Sequence, residues 1–393
     1  MPRNVCTACI GDGDLKRWIR QQNGQRGCDF CQRSDAVTAD FEAFAAHVES
    51  HVRRWFSLAI DNLPYDSREG GYQGSQLWNT YEVLESLYLD FPRDRHDRLR
   101  SALVRALPEE TWCDYDWLTL DVDQALRTSW DQFCETIKHK RRFFFHGTGR
   151  DDRDSYTPAS LLSTIAGLSA RMGLVQEIPM GKTLYRARTD MKRSADANGA
   201  PFGPPPVRYA TQSNRMNPPG IPMLYLASSA ATALKETRVE SARIGRWRAV
   251  RPLRILDLRK LPDVPGCFSE GNRSDRLATI FLHEFAADIM APVARDDRHH
   301  VEYLPSQVVT EFMRDYDFEG GRIDGIAYGS TVHPKGWNVA LFASPGHLGL
   351  AEPGWRSAVE QWLEFVGAKR VTLSQRGETK NIAPERTRGW IGK

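Results

Sequence analysis

The chain has 393 residues, with 53 lysines and arginines against 50 aspartates and glutamates, and 41% of it is hydrophobic. That length exceeds one compact core and predicts two or three domains, while an ordinary apolar fraction excludes a disordered chain. A net charge of +3 gives no global basic field for nucleic acid, and the absence of a long apolar run excludes a membrane-spanning helix.

The opening Met1-Pro2-Arg3-Asn4-Val5-Cys6 lacks the apolar stretch of a secretory signal, so a cytoplasmic location is expected. Cys6, Cys9, Cys28 and Cys31 form two Cys-x-x-Cys pairs. Thiolates two residues apart can turn toward one ion, and two such pairs complete a tetrahedron. In a reducing compartment disulfides are disfavoured, so residues 1–35 read as a knuckle around a structural zinc ion. Cys113, Cys134 and Cys267 are scattered, and Cys134 lies at helical spacing with Trp130 and Ile137.

Residues 36–150 read as an all-α bundle. Phe41, Phe44, Ala45, Val48 and Val52 recur at helical spacing, with Thr38 or Asp40 as the cap. Further helices are predicted over Leu77–Phe91, Asp97–Leu107 and Trp130–Phe145. The polar run 147–154 reads as a linker, and Thr157-Pro158 opens a connecting helix within residues 151–180. From residue 181 to 346 the pattern becomes mixed. Strands are expected at Leu184–Arg188, Ile221–Ala227, Leu253–Leu258, Gly325–Ser330 and Trp337–Ala343. Helices are expected at Ser229–Ser241, Ser274–Met290 and Ser306–Tyr316, which together make an α+β domain. Residues 347–393 are expected to add a helix over Trp355–Phe365 and a polar tail.

Arg186, Arg215, Glu236 and Ser330 stand out in this second half. Arg186 lies on a core-like strand, where a buried cation needs an anionic partner. Arg215 sits in the turn Asn214-Arg215-Met216-Asn217, Glu236 on the following helix, and Ser330 at the end of Ile326-Ala327-Tyr328. Two arginines and a glutamate from separate elements point to a phosphate-bearing ligand. Each has a structural alternative: Arg186 could answer Asp257 or Glu284, and Glu236 could pair within its helix. No Gly-x-Gly-x-x-Gly follows a strand, which disfavours a Rossmann dehydrogenase.

In order and spacing, these residues resemble the RES domain. The likeness rests on Asn214-Arg215-Met216-Asn217, then Leu224-Tyr225-Leu226-Ala227, then Ala233-Leu234-Lys235-Glu236, and later Ser330, Asn338 and Leu341-Phe342. It implies an α+β fold with a split, twisted sheet like that of ADP-ribosyltransferases, and NAD⁺ as a substrate consumed by cleavage of the nicotinamide–ribose bond. On that likeness Arg186, Glu236 and Ser330 are catalytic, and Tyr185, Arg215, Asn217, Tyr225 and Asn338 bind substrate. The family also implies a toxin–antitoxin or phage-defence setting, with room for a regulatory or antitoxin protein and a homo-oligomer. The acceptor (water, phosphate or a protein side chain) stays open.

The helical half is similar to the HEPN-like domains often fused to RES domains. Arg141 and His146 match the spacing of a HEPN ribonuclease motif, although a cationic residue at a helix end has an ordinary electrostatic explanation. The alternatives to NAD⁺ cleavage are therefore an ADP-ribosyltransferase, a ribonuclease or an inactive sensor, and the nucleic-acid question stays open.

Overall fold

The computed structural model describes residues 4–22, 24, 27–144, 149–189, 199–293, 298–350, 360–373 and 379–381. The chain forms two compact units: Met1–Arg127 with Asp151–Ser155 and Asp263–Phe281, and Thr128–Arg150 with Tyr156–Pro262 and Leu282–Lys393. The division therefore does not fall at a single linker. The segment 263–281 joins the first unit, and 128–150 joins the second. No helix among the described residues is long and apolar enough to cross a membrane.

The first unit is helical but not all-α. Helices Gly13–Gln21, Phe41–Val52, Thr80–Ser86 and Arg98–Ala106 are accompanied, among the described residues, by three small sheets. Strand Asn4–Cys6 pairs antiparallel with Thr38–Asp40, the strand that leads into helix Phe41–Val52. Asp40, rather than Thr38, caps that helix by accepting from the Ala43 amide at 2.9 Å. The expected helix over Leu77–Phe91 shrinks to Thr80–Ser86. Leu77 and Trp78 pair instead with Trp112 and Cys113, and Tyr88 turns to φ 56°. Asn79 and Glu82 close a capping box at the start of the shortened helix. The core runs from Val5, Ile10 and Leu15 through Phe44, Val48, Leu103 and Trp112 to Phe268, and includes Cys6, Cys9 and Cys28. Its cysteine segment is thus part of one core with the helices.

This core contains a titratable pair. His47 stacks on Trp18 with centroids 4.4 Å apart and lies 4.5 Å from the ring of buried His51. Burial, with His51 and Arg54 adding repulsion, pushes the His47 imidazole down to about 4 from 6.5. The neutral form is therefore favoured in the folded state. Its stabilisation is present above pH 6.5 and is lost as pH falls from 6.5 to 4. His47→Phe keeps a stacking ring and removes the titration. In thermal unfolding across that window, the variant is expected to lose less stability on acidification than the parent chain. Parallel curves would remove His47 from the account.

The second unit is organised by a nine-stranded sheet. Its strands are β1 Val175–Ile178, β2 Thr183–Arg188, β3 Leu224–Ala227, β4 Ser241–Ala249, β5 Leu253–Asp257, β6 Gly325–Gly329, β7 Trp337–Leu341, β8 Leu363–Leu373 and β9 Thr379–Asn381. The order across the sheet is β9-β8-β4-β2-β3-β7-β6-β5-β1. Only β5 and β6 pair in parallel; the other described pairs are antiparallel. β2 and β3 meet in one residue pair, Tyr185 with Ala227, whereas β4 pairs with β2 over six positions and with β8 over nine. The sheet is thinnest in its middle, and its strands splay there.

Helices α1 Val122–Glu135, α2 Pro158–Arg171, α3 Ala230–Thr237, α4 Arg273–Met290, α5 His299–Glu302 and α6 Leu304–Asp315 complete the elements used below. α1 continues as a π-helical turn over Thr136–Lys140. The sheet core is built on Leu184, Leu224, Leu226, Trp247, Ile255, Val339 and Leu341.

Two expectations are corrected. The helix expected over Trp355–Phe365 is not formed at its described end, because Leu363–Leu373 is strand β8, paired along its length with β4. Its first residues, 355–359, lie outside the described residues. Trp362 and Phe365 share helical spacing, but Phe365 reaches Trp247 and Phe202 from a strand instead. The bulge opposite Arg246 and Trp247 falls at Val366 and Gly367, and a φ of 121° at Gly367 accommodates it. Likewise, the helix expected to reach Ser241 stops at Thr237, with Arg238 left-handed at φ 57°, and Ser241–Ala249 becomes β4.

Candidate functional site

The site forms where β2 and β3 splay, and each group arrives on a different element. α3 starts at an N-cap in which the Ser229 hydroxyl accepts from the Thr232 amide, and it delivers Glu236 in its last turn. The β6–β7 hairpin supplies Ser330 at one end of its loop and Asn338 near the start of β7. Ser330 Oγ donates to Glu236 Oε1 at 2.7 Å, and Asn338 Nδ2 donates to the same oxygen at 2.6 Å. Three residues separated by as much as 102 positions thus converge on one carboxylate oxygen. Both donors meet Oε1 and hold the Glu236 carboxylate at the edge of the cleft.

Glu236 borders two adjoining cavities of about 200 Å³ and 240 Å³, which also share Tyr225, Tyr328 and Asn338. Tyr185 and Arg186 line one, and Arg215 and Tyr303 line the other. Six of the eight sequence-predicted site residues therefore line this cleft, and Ser330 reaches it through Glu236. Asn217 does not: it lies buried behind it.

Arg186 and Arg215 turn out to be unlike each other. Arg186 Nη1 is buried and has no hydrogen-bond partner among the described residues. Asp257, the carboxylate that might have answered it, is taken by Arg259 at 2.5 Å. Burial, with Arg188 nearby, pushes the Arg186 guanidinium down to about 9. Since an arginine in a protein keeps its proton, that pressure is a cost of holding an uncompensated cation, which an anion in the cleft would offset. Arg215, by contrast, is already in use. Its Nη1 donates to the carbonyls of Ile289 and Ala291, both at 2.7 Å, and its guanidinium lies 5.6 Å from the centre of the Tyr303 ring. Arg215 thus fastens the C-terminal end of α4 while bordering the cleft.

The turn carrying Arg215 is held by residues that sequence reasoning missed. Gln307 Nε2 of α6 donates to Ser213 Oγ and to the carbonyls of Asn214 and Asn217. Ser306 Oγ donates to the Arg215 carbonyl at 2.6 Å. Asn217 Oδ1 accepts from the Tyr225 hydroxyl at 2.6 Å, so Asn217 and Tyr225 brace the turn together. Burial pushes the Tyr225 phenol well up, leaving it a neutral donor. Tyr328, also missed, lines both lobes, and burial raises its phenol too. Ser306 and Gln307 are buried polar residues on α6, and their acceptors are largely backbone carbonyls that a sequence does not display.

In the first unit, the Sγ atoms of Cys6, Cys9, Cys28 and Cys31 all lie within 4.8 Å of one another. The Cys6–Cys9, Cys6–Cys31 and Cys9–Cys28 separations are 3.7, 3.5 and 3.7 Å. Four thiols so placed, three of them buried, could hold a metal ion. Of the proposed ribonuclease pair, Arg141 is exposed and His146 lies outside the described residues.

Comparison with known proteins bears on both halves. The RES domain family model matches residues 183–361, and the model of HEPN/RES N-terminal domain 1 matches residues 21–151. No curated protein and no solved structure matches the chain.

Proposed function

We propose that this chain, which carries a RES domain behind a HEPN/RES N-terminal domain, cleaves NAD⁺ between nicotinamide and ribose. The family is associated with NAD⁺-utilising toxins. The observation that carries the reading is the Glu236 carboxylate, held through one oxygen by Ser330 and Asn338, in a cleft that also contains the half-buried Arg186, whose Nη1 has no hydrogen-bond partner among the described residues. An acidic group alone would suit many ligands. Joined to a cation with no anionic partner among the described residues, it suits a substrate carrying phosphate at one place and developing positive charge at another.

In this reading the pyrophosphate answers Arg186, with Arg215 at the opposite side of the cleft. As the bond between nicotinamide and C1′ of the ribose lengthens, its electron pair leaves with nicotinamide, which becomes neutral. Positive charge develops on the ribose, and Glu236 Oε2 stabilises it or accepts from a ribose hydroxyl. Tyr185, Tyr225 and Tyr328 supply flat faces for the bases. Water then adds at C1′ and releases a proton, giving ADP-ribose; phosphate in the same place gives the phosphorylated sugar. The thin middle of the sheet, where a cleft opens between two strand groups, supports an ADP-ribosyltransferase-like fold. Transfer to a protein side chain uses the same first step. Incubating the full-length chain with NAD⁺ and assaying nicotinamide tests the proposal, and an intact dinucleotide after long incubation would refute it.

The metal we assign to the cysteines is structural zinc. A tetrahedron with Zn–S bonds of about 2.3 Å has edges of about 3.8 Å, close to the observed sulfur separations. All four ligands come from protein, leaving no position for a substrate. Zinc would tie strand Asn4–Cys6 to the turn at Cys28–Cys31 within the first unit's core. Because ligand binding is then folding free energy, Cys9→Ser should reduce bound zinc and lower the melting temperature by ten degrees or more in order of magnitude. Elemental analysis and melting of the purified variant and parent are the checks, and equal zinc content in both would remove Cys9 from the site.

A further inference from the structure

We propose that Thr232 and His333 form a latch that holds the Ser330 loop against Glu236, acting as positioning residues for the cleavage proposed above. The inference rests on that reading for its consequence and on independent geometry for the latch itself. The loop joining β6 to β7 spans Ser330 to Gly336. Its ends close through the Ser330 amide to the Gly336 carbonyl at 3.0 Å, and the Gly336 amide to the His333 carbonyl at 2.7 Å. Inside it, Ser330 Oγ accepts from the His333 amide at 3.1 Å while donating to Glu236. The serine hydroxyl therefore reports the loop's position to the carboxylate.

Besides the Ser330–Glu236 bond, the loop has a second attachment to α3. That attachment is made by Thr232, which is fully buried one turn before Glu236. Its Oγ1 lies 2.9 Å from His333 Nδ1 and 2.8 Å from Ser229 Oγ. The chain Ser229–Thr232–His333 accepts either direction of donation, so a neutral and a protonated imidazole both complete it: a protonated ring must donate from Nδ1, and the Thr232 hydroxyl then donates onward to Ser229. Gly336 shows how close the approach is. A Cβ there would lie 2.3 Å from Thr232 Oγ1 and 2.8 Å from His333 Nδ1. Glycine at 336 is the condition for the loop to lie on the helix. Burial and the two neighbouring lysines, Lys235 and Lys335, push the His333 imidazole down, against the pull of Glu236.

The outcome is a closed circuit. One turn of α3 supplies both the carboxylate and the threonine, and the loop answers each with one residue, Ser330 to Glu236 and His333 to Thr232. The His333–Thr232 contact holds the loop on α3 at a point separate from the hydrogen bond to Glu236, which the reaction itself perturbs.

Two readouts test the latch in the full-length chain. The first does not depend on activity: hydrogen exchange of the peptide covering residues 330–336. Thr232→Val keeps the volume and removes the hydroxyl. It is expected to raise exchange in that peptide at least tenfold while leaving peptides from β4 and β5 unchanged. His333→Ala should do the same, and His333→Asn, which restores a hydrogen-bonding group near Nδ1, should recover protection. The second readout is NAD⁺ turnover, where kcat is expected to fall about tenfold with KM held. Unchanged exchange in Thr232→Val overturns the latch whatever the activity. Raised exchange with unaltered kcat overturns the positioning role. A parent chain that does not consume NAD⁺ refutes the proposed reaction and the positioning role with it, while the exchange data still decide whether the latch exists.

Discussion

Glu236→Gln is expected to lower nicotinamide release by about a hundredfold or more while leaving the fold intact. The magnitude follows from losing one oriented electrostatic interaction at a centre of developing charge, which typically costs about two to three powers of ten in rate. The structure makes the substitution unusually clean. Oε1 accepts from Ser330 and Asn338, and the amide oxygen of glutamine accepts the same two bonds. The amide nitrogen then falls at Oε2, where it presents a donor and a partial positive charge to the ribose in place of a negative one. Folding contacts are kept, and the charge directed at the substrate is reversed in sign. NAD⁺ binding should change less than turnover, so kcat is the parameter to watch. Near-parental kcat in a folded Glu236→Gln protein would take the carboxylate out of the chemistry.

What the sequence revealed of this site follows from how each group is held. Arg186 stood out because an arginine on an apolar strand needs an anionic partner, although Asp257 or Glu284 could have answered it; the structure gives Asp257 to Arg259. Glu236, Ser330 and Asn338 were not legible singly, since an acid on a helix and a serine at a strand end are commonplace. Their grouping depends on pairing between elements nearly a hundred residues apart, which only the ordered resemblance conveyed. Arg215 was legible as a charged turn but not as the clasp on α4, because its acceptors are backbone carbonyls that leave no mark in a sequence. The same holds for Gln307, whose three acceptors include two carbonyls.

Among the elements, β4 was recoverable. Ala242 and Ile244 are buried in one apolar cluster and Trp247 and Ala249 in another, with Arg243, Arg246 and Arg248 between them. β8 was harder to read, since Trp362 and Phe365 fit a helical spacing as well as a strand, and pairing with β4 decided between them. The unit boundaries were not legible. Segment 263–281 joins the first unit through packing such as the Trp55 indole to the Cys267 carbonyl, a contact across more than two hundred residues. On the other side, α1 contributes Trp130 to Asp288 and its π-turn contributes Lys138 to Glu302 within the second unit. A chain begun near Ser155 would therefore lack part of the unit that holds the cleft, and point substitutions test the chemistry better than truncation.

The second large effect is expected at Arg186, and its signature is opposed changes in binding and stability. Arg186→Met retains most of the side-chain length and removes the guanidinium. In the absence of ligand the parent carries a buried nitrogen without a partner and a cation disfavoured by burial. Removing a charge that burial disfavours relieves its desolvation cost. The melting temperature of Arg186→Met should hold or rise. NAD⁺ affinity should move the other way. Hydrogen bonds to a charged group contribute about 1.5–3 kcal/mol each, so losing the contact to a pyrophosphate should weaken binding about a hundredfold. Arg186→Lys separates charge from shape: it keeps the cation but lacks the planar fork that matches two phosphate oxygens, and it should bind at an intermediate level. A structural arginine predicts the reverse pattern, a fall in melting temperature with binding little changed. Calorimetric titration with NAD⁺ beside thermal unfolding of the three proteins distinguishes the two, and lower stability with parental affinity in Arg186→Met would assign this arginine to the fold instead of the substrate.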